Sequence, residues 1–286
     1  MPEGEALPVL GGYVDAPWAT HVEEMPACEG FLFSSYKLDE TIGSDLGKEE
    51  RPEFTFDIRK NPYFTAELGG GLQVTAHRRT YPWPVDSEAQ ALCYLGGGAN
   101  LLGYYMYHGG INPDGKYSTL QESRETGYAN DLPVKSYDFQ TCIRESGEIN
   151  ESFGRLKRLH LFLQDFGEVL AGAAPFFPEA LPSSPEDMET LRAAARVNVE
   201  EGVGFLFLNN HQRKRHMKAH EDFTVRLLLE DGGEKLLSGL SLPSDACAGI
   251  PFLLSGAGEK WKSSLPAETN ASLLCRLGER IFFYTD

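Results

Sequence analysis

The chain has 286 residues, 41% of them hydrophobic and 24% charged, which is the balance of a globular protein of one large domain or two modest ones. Asp and Glu total 42 against 26 Lys and Arg, and the net charge of −16 argues against nucleic acid, whose affinity rests on neutralised phosphates, and against anionic membrane surfaces. A neutral substrate fits such a surface.

No apolar run approaches the length that spans a bilayer. The acidic start, Met1-Pro-Glu-Gly-Glu, lacks the basic and apolar regions of a signal peptide. Cys28, Cys93, Cys142, Cys247 and Cys275 are scattered and odd in number, with neither disulfide-framework nor zinc spacing. They read as reduced thiols of a cytosolic protein, with secretion the alternative if a leader precedes Met1.

In chain order, Leu7-Pro-Val-Leu-Gly-Gly-Tyr13 reads as a short strand ending in glycines, followed by loops at Val14–Trp18 and Met25-Pro26. Phe31–Phe33 and Glu53–Asp57 are apolar or alternating fragments of undetermined type. Asn61-Pro-Tyr-Phe-Thr-Ala-Glu-Leu-Gly-Gly-Gly71 is the most informative stretch. A short apolar run ends in one acid and three glycines, the pattern of a buried strand that delivers a carboxylate to the mouth of a site. The glycines would let a ligand or another backbone approach closely.

Asp86–Leu95 reads as a helix with Asp86 as N-cap and Gly96–Gly98 as its stop. A second apolar run, Leu101–Tyr107, then leads through His108 into Gly109-Gly110 and completes a βαβ unit. Residues 112–132 form a long polar loop. Glu151–Ala171 is predicted helical from the spacing of Phe153, Leu156, Leu159, His160, Leu163, Phe166, Val169 and Leu170. A proline-rich break over 175–185 ends an α/β region, residues 1–174. Short strands at 204–210, 223–229, 235–242, 250–254, 272–277 and 280–284 predict a β-sandwich-like domain over 186–286.

Pattern alone gives Glu67 a structural reading, a hydrogen bond or an ion pair with Arg78 or Arg79. His108 reads as a buried histidine satisfied by backbone, and Asn112, Asn130 and Asp131 read as turn and cap residues. His211, His216 and His220, with Arg213, Lys214 and Arg215, read as a solvated loop rather than a metal site. Trp18, Trp83 and Trp261 are candidates for stacking a sugar ring, Trp18 and Trp83 the better placed, with core packing the competing reading.

Several segments match in order. They are Thr65-Ala-Glu-Leu-Gly-Gly-Gly71 with His77-Arg-Arg79, Gly103-Tyr-Tyr-Met-Tyr-His-Gly-Gly-Ile-Asn-Pro113, Thr119-Leu-Gln-Glu-Ser123, Asn130-Asp-Leu-Pro133, Ser136-Tyr-Asp-Phe139, Leu159-His-Leu-Phe-Leu-Gln-Asp-Phe-Gly167 and Gly204-Phe-Leu-Phe-Leu-Asn-Asn210. Together they resemble glycoside hydrolase family 35, the β-galactosidases. The resemblance implies an incomplete TIM (β/α)8 barrel, its last strands six to eight, followed by the β domain. It implies a retaining exo-glycosidase acting on terminal β-D-galactose, with two carboxylates about 5 Å apart. Glu67 matches the nucleophile. Tyr105 matches a tyrosine near the nucleophile and sugar, and its hydroxyl is expected on the Glu67 carboxylate. Tyr137 and Phe139 match the border of the sugar pocket, where many relatives carry tyrosine at the position of Phe139. No metal or organic cofactor is implied.

Two departures matter. After Gln140 the chain reads Thr141-Cys-Ile-Arg-Glu145 where relatives continue Ala-Pro-Leu and a Gly-Glu pair. The family's Asn-Glu-Tyr motif, which carries the acid/base glutamate, does not occur. Strands one to five are therefore expected to lie outside this sequence, in a preceding part or in a partner chain, with Glu122 or Glu145 the alternative source of the proton. The competing reading is a non-catalytic carbohydrate-binding or assembly subunit that complements a separate N-terminal half.

Overall fold

The computed structural model describes residues 7–17, 23–36, 57–75, 78–116, 135–229 and 232–285. The chain divides into two compact units, Met1–Gly30 with Tyr36–Ala91 and Ala99–Leu156, and Phe31–Ser35 with Leu92–Gly98 and Lys157–Asp286.

In the first unit, β1 (Val9–Gly12) and β2 (Phe64–Leu68) pair in parallel. The register sets Leu10 beside Thr65, then shifts, so that Gly11 lies beside Glu67. Residues 101–105 run parallel along the second edge of β2. Thr65 N–H donates to Leu101 O at 3.0 Å, Leu68 N–H to Gly103 O at 2.9 Å and Tyr105 N–H to Leu68 O at 2.8 Å. The sequence predicts a continuous buried strand over Leu101–Tyr107. The structure instead keeps two bridges, Phe64 to Leu101 and Leu68 to Tyr104, and leaves Leu101 46% exposed. Gly103 lies between the bridges, so close to the neighbouring strand that a Cβ there would be 2.7 Å from Thr65 O.

Helix α1 (Pro84–Gly96) begins earlier than predicted. Pro84 takes the first helical position, where a missing N–H costs nothing. Asp86 is therefore not the N-cap. It reaches back to accept the N–H of Trp83 at 2.7 Å, the return arm of a capping box. Ser87, in the first turn of α1, donates to Gly69 O at 2.9 Å and ties the helix start to the end of β2. A two-residue antiparallel pair, β3 (Gly110–Ile111) with β4 (Ser136–Tyr137), follows.

The glycines after Glu67 admit backbone. A Cβ at Gly70 would collide with Met106 O, and one at Gly71 with Phe139 O and with the Gln140 carbonyl. Gly71→Ala is therefore expected to destabilise the first unit by about 1–3 kcal/mol. Urea unfolding reads this directly, and an unshifted midpoint would contradict it.

Helix α2 (Glu151–Ala171) has the bounds its spacing predicts, and Asn150 Oδ1 accepts the Glu151 N–H at 2.8 Å. Its buried stripe is Leu156, Leu159, Phe162, Phe166, Val169 and Leu170, with Phe162 where Leu163 was expected.

The second unit continues through β5 (Ala174–Phe176), β6 (Arg192–Asn198), β7 (Val203–Asn209), β8 (His220–Leu228), β9 (Glu234–Leu242), β10 (Cys247–Leu253), β11 (Ser272–Leu277) and β12 (Arg280–Tyr284). β10, β7, β6 and β5 form an antiparallel sheet in that order, and β8–β9 and β11–β12 are hairpins. β7 is buried along its whole length. Its alternate residues serve two layers, as period two requires. Phe205 and Phe207 meet Phe162 of α2, with ring centroids 5.3 and 6.5 Å apart. Leu206 and Leu208 join Leu237, Leu240 and Leu242 of the β8–β9 hairpin in one apolar cluster.

β6, which the sequence reading did not find, carries two buried arginines on one face. Arg196 donates to Leu95 O at the end of α1 (2.9 Å) and to Leu170 O and Ala173 O at the end of α2 (2.7 and 2.8 Å). Helix C-termini leave carbonyls short of intrahelical partners. Leu95 O and Leu170 O each take one turn N–H, from Gly98 at 3.1 Å and from Ala173 at 3.0 Å, and the guanidinium is a second donor to both. Burial lowers its pKa to about 10, so it stays protonated at neutral pH. Arg192 donates to Gln212 Oε1 at 2.7 Å and to the carbonyls of Pro185 and Asp187 at 3.1 Å each.

Asp187 closes the turn that Arg192 holds. Hydrogen bonds from the Thr190 N–H and hydroxyl, then from Glu189 and Ser183, hold its carboxyl down to about 2. A carboxylate with a depressed folded value stabilises fully above its unfolded value, about pH 4, and that gain is lost as pH falls toward about 2. Asp187→Ala should lower the urea midpoint at neutral pH, with the gap to wild type closing across that window. A gap that persists unchanged into the acid range would contradict this assignment.

Candidate active site

Glu67 stands one residue before the end of β2, at the carboxyl end of the parallel strands, and is half-buried. Tyr13 follows the end of β1, and the register that sets Gly11 beside Glu67 brings its ring alongside. The Tyr13 hydroxyl donates to Glu67 Oε2 at 3.3 Å. Burial, then the Glu67 charge and this hydrogen bond, push the Tyr13 pKa upward, so the phenol keeps its proton and remains a donor. Among the described residues the carboxylate forms no ion pair with Arg78 or Arg79. The Arg78 backbone instead closes a turn with Thr75.

The sequence reading gave the tyrosine partner of Glu67 as Tyr105. The structure gives that hydrogen bond to Tyr13. The Tyr105 hydroxyl meets the Tyr137 hydroxyl at 2.7 Å, and both rings lie near enough to contribute to the raised pKa of Tyr13. Phe139 packs against both, its ring centroid 5.4 Å from Tyr105 and 5.0 Å from Tyr137. The four residues singled out from sequence, Glu67, Tyr105, Tyr137 and Phe139, thus join with Tyr13 in one cluster of the first unit. The missed residue had a signal. Gly11-Gly12-Tyr13 repeats the strand-then-glycine pattern that drew attention to Glu67.

The loop beneath the aromatic rings is built by Asp138. Its Oδ2 accepts Arg144 Nε and Nη2, both at 2.6 Å, and its Oδ1 accepts the Glu145 N–H at 2.9 Å. Phe139 and Gln140 both adopt left-handed backbone, φ 54° and 50°, a cost that this network holds in place. The Gln140 amide then donates to Leu72 O at 3.0 Å and Thr80 O at 2.8 Å, fixing the stretch after β2 to the same loop. Among the described residues Glu145 Oε2 is buried with no hydrogen-bond partner. Trp18, Glu122, Asn130 and Asp131 lie outside the described residues.

Two other readings change. His108 is exposed rather than buried, and its ring meets the Gly109 carbonyl. His211 is fully buried, with Nδ1 2.9 Å from Asp245 Oδ1 and its ring edge-on to Phe31, so the predicted solvated loop begins only after Arg213. Of the tryptophans, Trp261 takes the core-packing alternative, its indole N–H donating to Glu201 at 2.6 Å, whereas Trp83 is 42% exposed. Among the described residues no group of His, Cys, Asp or Glu could hold a metal ion. The five cysteines, all among the described residues, form no disulfide.

Neither a protein-family model nor a curated protein matches the chain.

Proposed function

We propose that the first unit is the C-terminal part of a retaining β-galactosidase catalytic domain of the family 35 type, with Glu67 as its nucleophile. The observation that carries this reading is a half-buried carboxylate at the carboxyl end of parallel strands, oriented by the Tyr13 hydroxyl and walled by Tyr105, Tyr137 and Phe139. In barrels of parallel strands the chemistry gathers at that end. Glu67 would attack the anomeric carbon of a terminal β-galactoside as the bond to the leaving oxygen breaks. Water would then release galactose from the covalent intermediate with net retention. The Tyr13 donor keeps one carboxylate oxygen fixed and leaves the other to attack.

The leaving oxygen needs a proton, which the family takes from a glutamate in a motif this sequence lacks. This chain by itself is therefore a poor catalyst on ordinary galactosides, because general acid assistance is worth about 10²–10⁴-fold. The test compares aryl β-galactosides of graded leaving-group ability on the wild type and Glu67→Gln. The reading requires turnover that depends on Glu67 and rises steeply as the leaving group improves. Robust, Glu67-dependent turnover of an alkyl galactoside would refute the missing-acid part.

A second reading, a non-catalytic carbohydrate-binding or assembly subunit, draws on one observation. Val9 and Leu101, which flank Phe64 on its two sides, are 55% and 46% exposed, an apolar row suited to meeting further strands.

A further inference from the structure

Cys28 is the one cysteine of the five that is not buried. Two hydrogen bonds fix its sulfur. The Gly30 N–H donates to Sγ at 3.3 Å, and the thiol donates to Tyr13 O at 3.3 Å. An N–H donor favours the thiolate, the form of the sulfur that attacks an electrophile. Gln90, in α1, lies against the same spot. The position a Cβ would take on Gly30 is 2.6 Å from Gln90 Nε2 and 3.1 Å from Cys28 Sγ. Gln90 is 1% exposed, and among the described residues neither polar atom of its amide has a hydrogen-bond partner. Native folds keep few polar groups in that condition, because desolvating them is costly, and a reaction, an ion or an ordered water accounts for those they keep.

We propose that Cys28 is a site of oxidation by hydrogen peroxide, with Gln90 as the residue that holds the resulting sulfenic acid. The proposal stands whether or not Glu67 is a nucleophile. Hydrogen peroxide is the fitting oxidant because it is small and neutral, and a chain of net charge −16 does not repel it. The Cys28 thiolate attacks one peroxide oxygen. The S–O bond forms as the O–O bond breaks, and sulfur gives up two electrons to the peroxide. The departing hydroxide takes up the proton that the thiol released and leaves as water. Gln90 Nε2 then donates to the oxygen now on the sulfur, which gives the buried amide the partner it lacks in the reduced protein.

The test treats the full chain with hydrogen peroxide in the presence of a cyclic 1,3-diketone, which bonds to sulfenic sulfur and not to thiols, and locates the label by peptide mass spectrometry. One label on Cys28 is expected, with Cys93, Cys142, Cys247 and Cys275 unlabelled, and none at that position in Cys28→Ser. Gln90→Leu and Gln90→Met replace the amide by apolar groups of similar size. Each should melt at or above the wild-type temperature, while its Cys28 thiol is lost to peroxide about tenfold more slowly. An unlabelled chain, or one labelled on the other cysteines as readily as on Cys28, removes the site. Oxidation of both Gln90 variants at the wild-type rate removes Gln90 from it. A lower melting temperature in both variants marks the amide as a structural group satisfied by ordered water and overturns its role in the same way.

Discussion

On dinitrophenyl β-galactoside, whose leaving group departs without a proton, Glu67→Gln lowers turnover by about 10³-fold or more, the scale expected when a nucleophile is removed. Glutamine preserves the shape of the side chain and still accepts the Tyr13 hydroxyl, so the loss reports chemistry rather than unfolding. On the same proposal the wild-type chain should act on an alkyl β-galactoside more slowly by an added factor of about 10²–10⁴, the contribution of the general acid whose motif the sequence lacks. The two losses are separable because they belong to different bonds. On the proposed mechanism Glu67 would form the bond to the anomeric carbon, and an acid would assist the bond that breaks. A Glu67→Gln variant as active as wild type on the dinitrophenyl substrate would remove Glu67 from the mechanism. Glu145, whose buried carboxylate oxygen has no hydrogen-bond partner among the described residues, would then be the next residue to substitute.

The largest expected effect on stability lies in the second unit. Arg196→Met removes the donor shared by Leu95 O, Leu170 O and Ala173 O. Leu95 O and Leu170 O keep a backbone donor each, from Gly98 and Ala173, so the loss is that of three charge-assisted hydrogen bonds at roughly 1.5–3 kcal/mol apiece, and partial relaxation brings the expected total to about 3–5 kcal/mol. That is a large share of a typical folding free energy of about 5–15 kcal/mol. Methionine matches the apolar stem of arginine, so the loss isolates the guanidinium. Denaturant unfolding followed by the fluorescence of Trp261, buried in the same unit, measures it. A loss under about 1 kcal/mol would mean that water replaces the guanidinium at these carbonyls.

What the sequence reveals depends on how local the cause is. Helix α2 is legible to the residue because its apolar spacing is a local signal, yet Phe162 displaces Leu163 from the buried stripe, since the facing Phe205 and Phe207 decide which side is inside. The end of β2 is legible because an apolar run, an acid and three glycines are contiguous. Its hydrogen-bond partner is not, because Tyr13 lies 54 residues away and is brought there by the parallel register of β1. β6 is invisible for a different reason. Arg-Ala-Ala-Ala-Arg has little β-branched or aromatic content, and arginine is ordinarily read as exposed. Only the two helix ends gathered above it make burial of Arg196 favourable. His211 repeats the point, since a histidine among basic residues reads as solvated until Asp245 and Phe31 enclose it.

The central claim is that Glu67 forms a covalent bond to a galactosyl group. A dinitrophenyl galactoside carrying fluorine on the carbon next to the anomeric centre slows release of such an intermediate more than its formation, and needs no acid to react. Mass spectrometry of the full chain after incubation, followed by peptide mapping, measures the outcome. The expected result is one fluorogalactosyl group on the peptide that contains Glu67, absent from Glu67→Gln. An unmodified chain, or an adduct on any other residue, would contradict it.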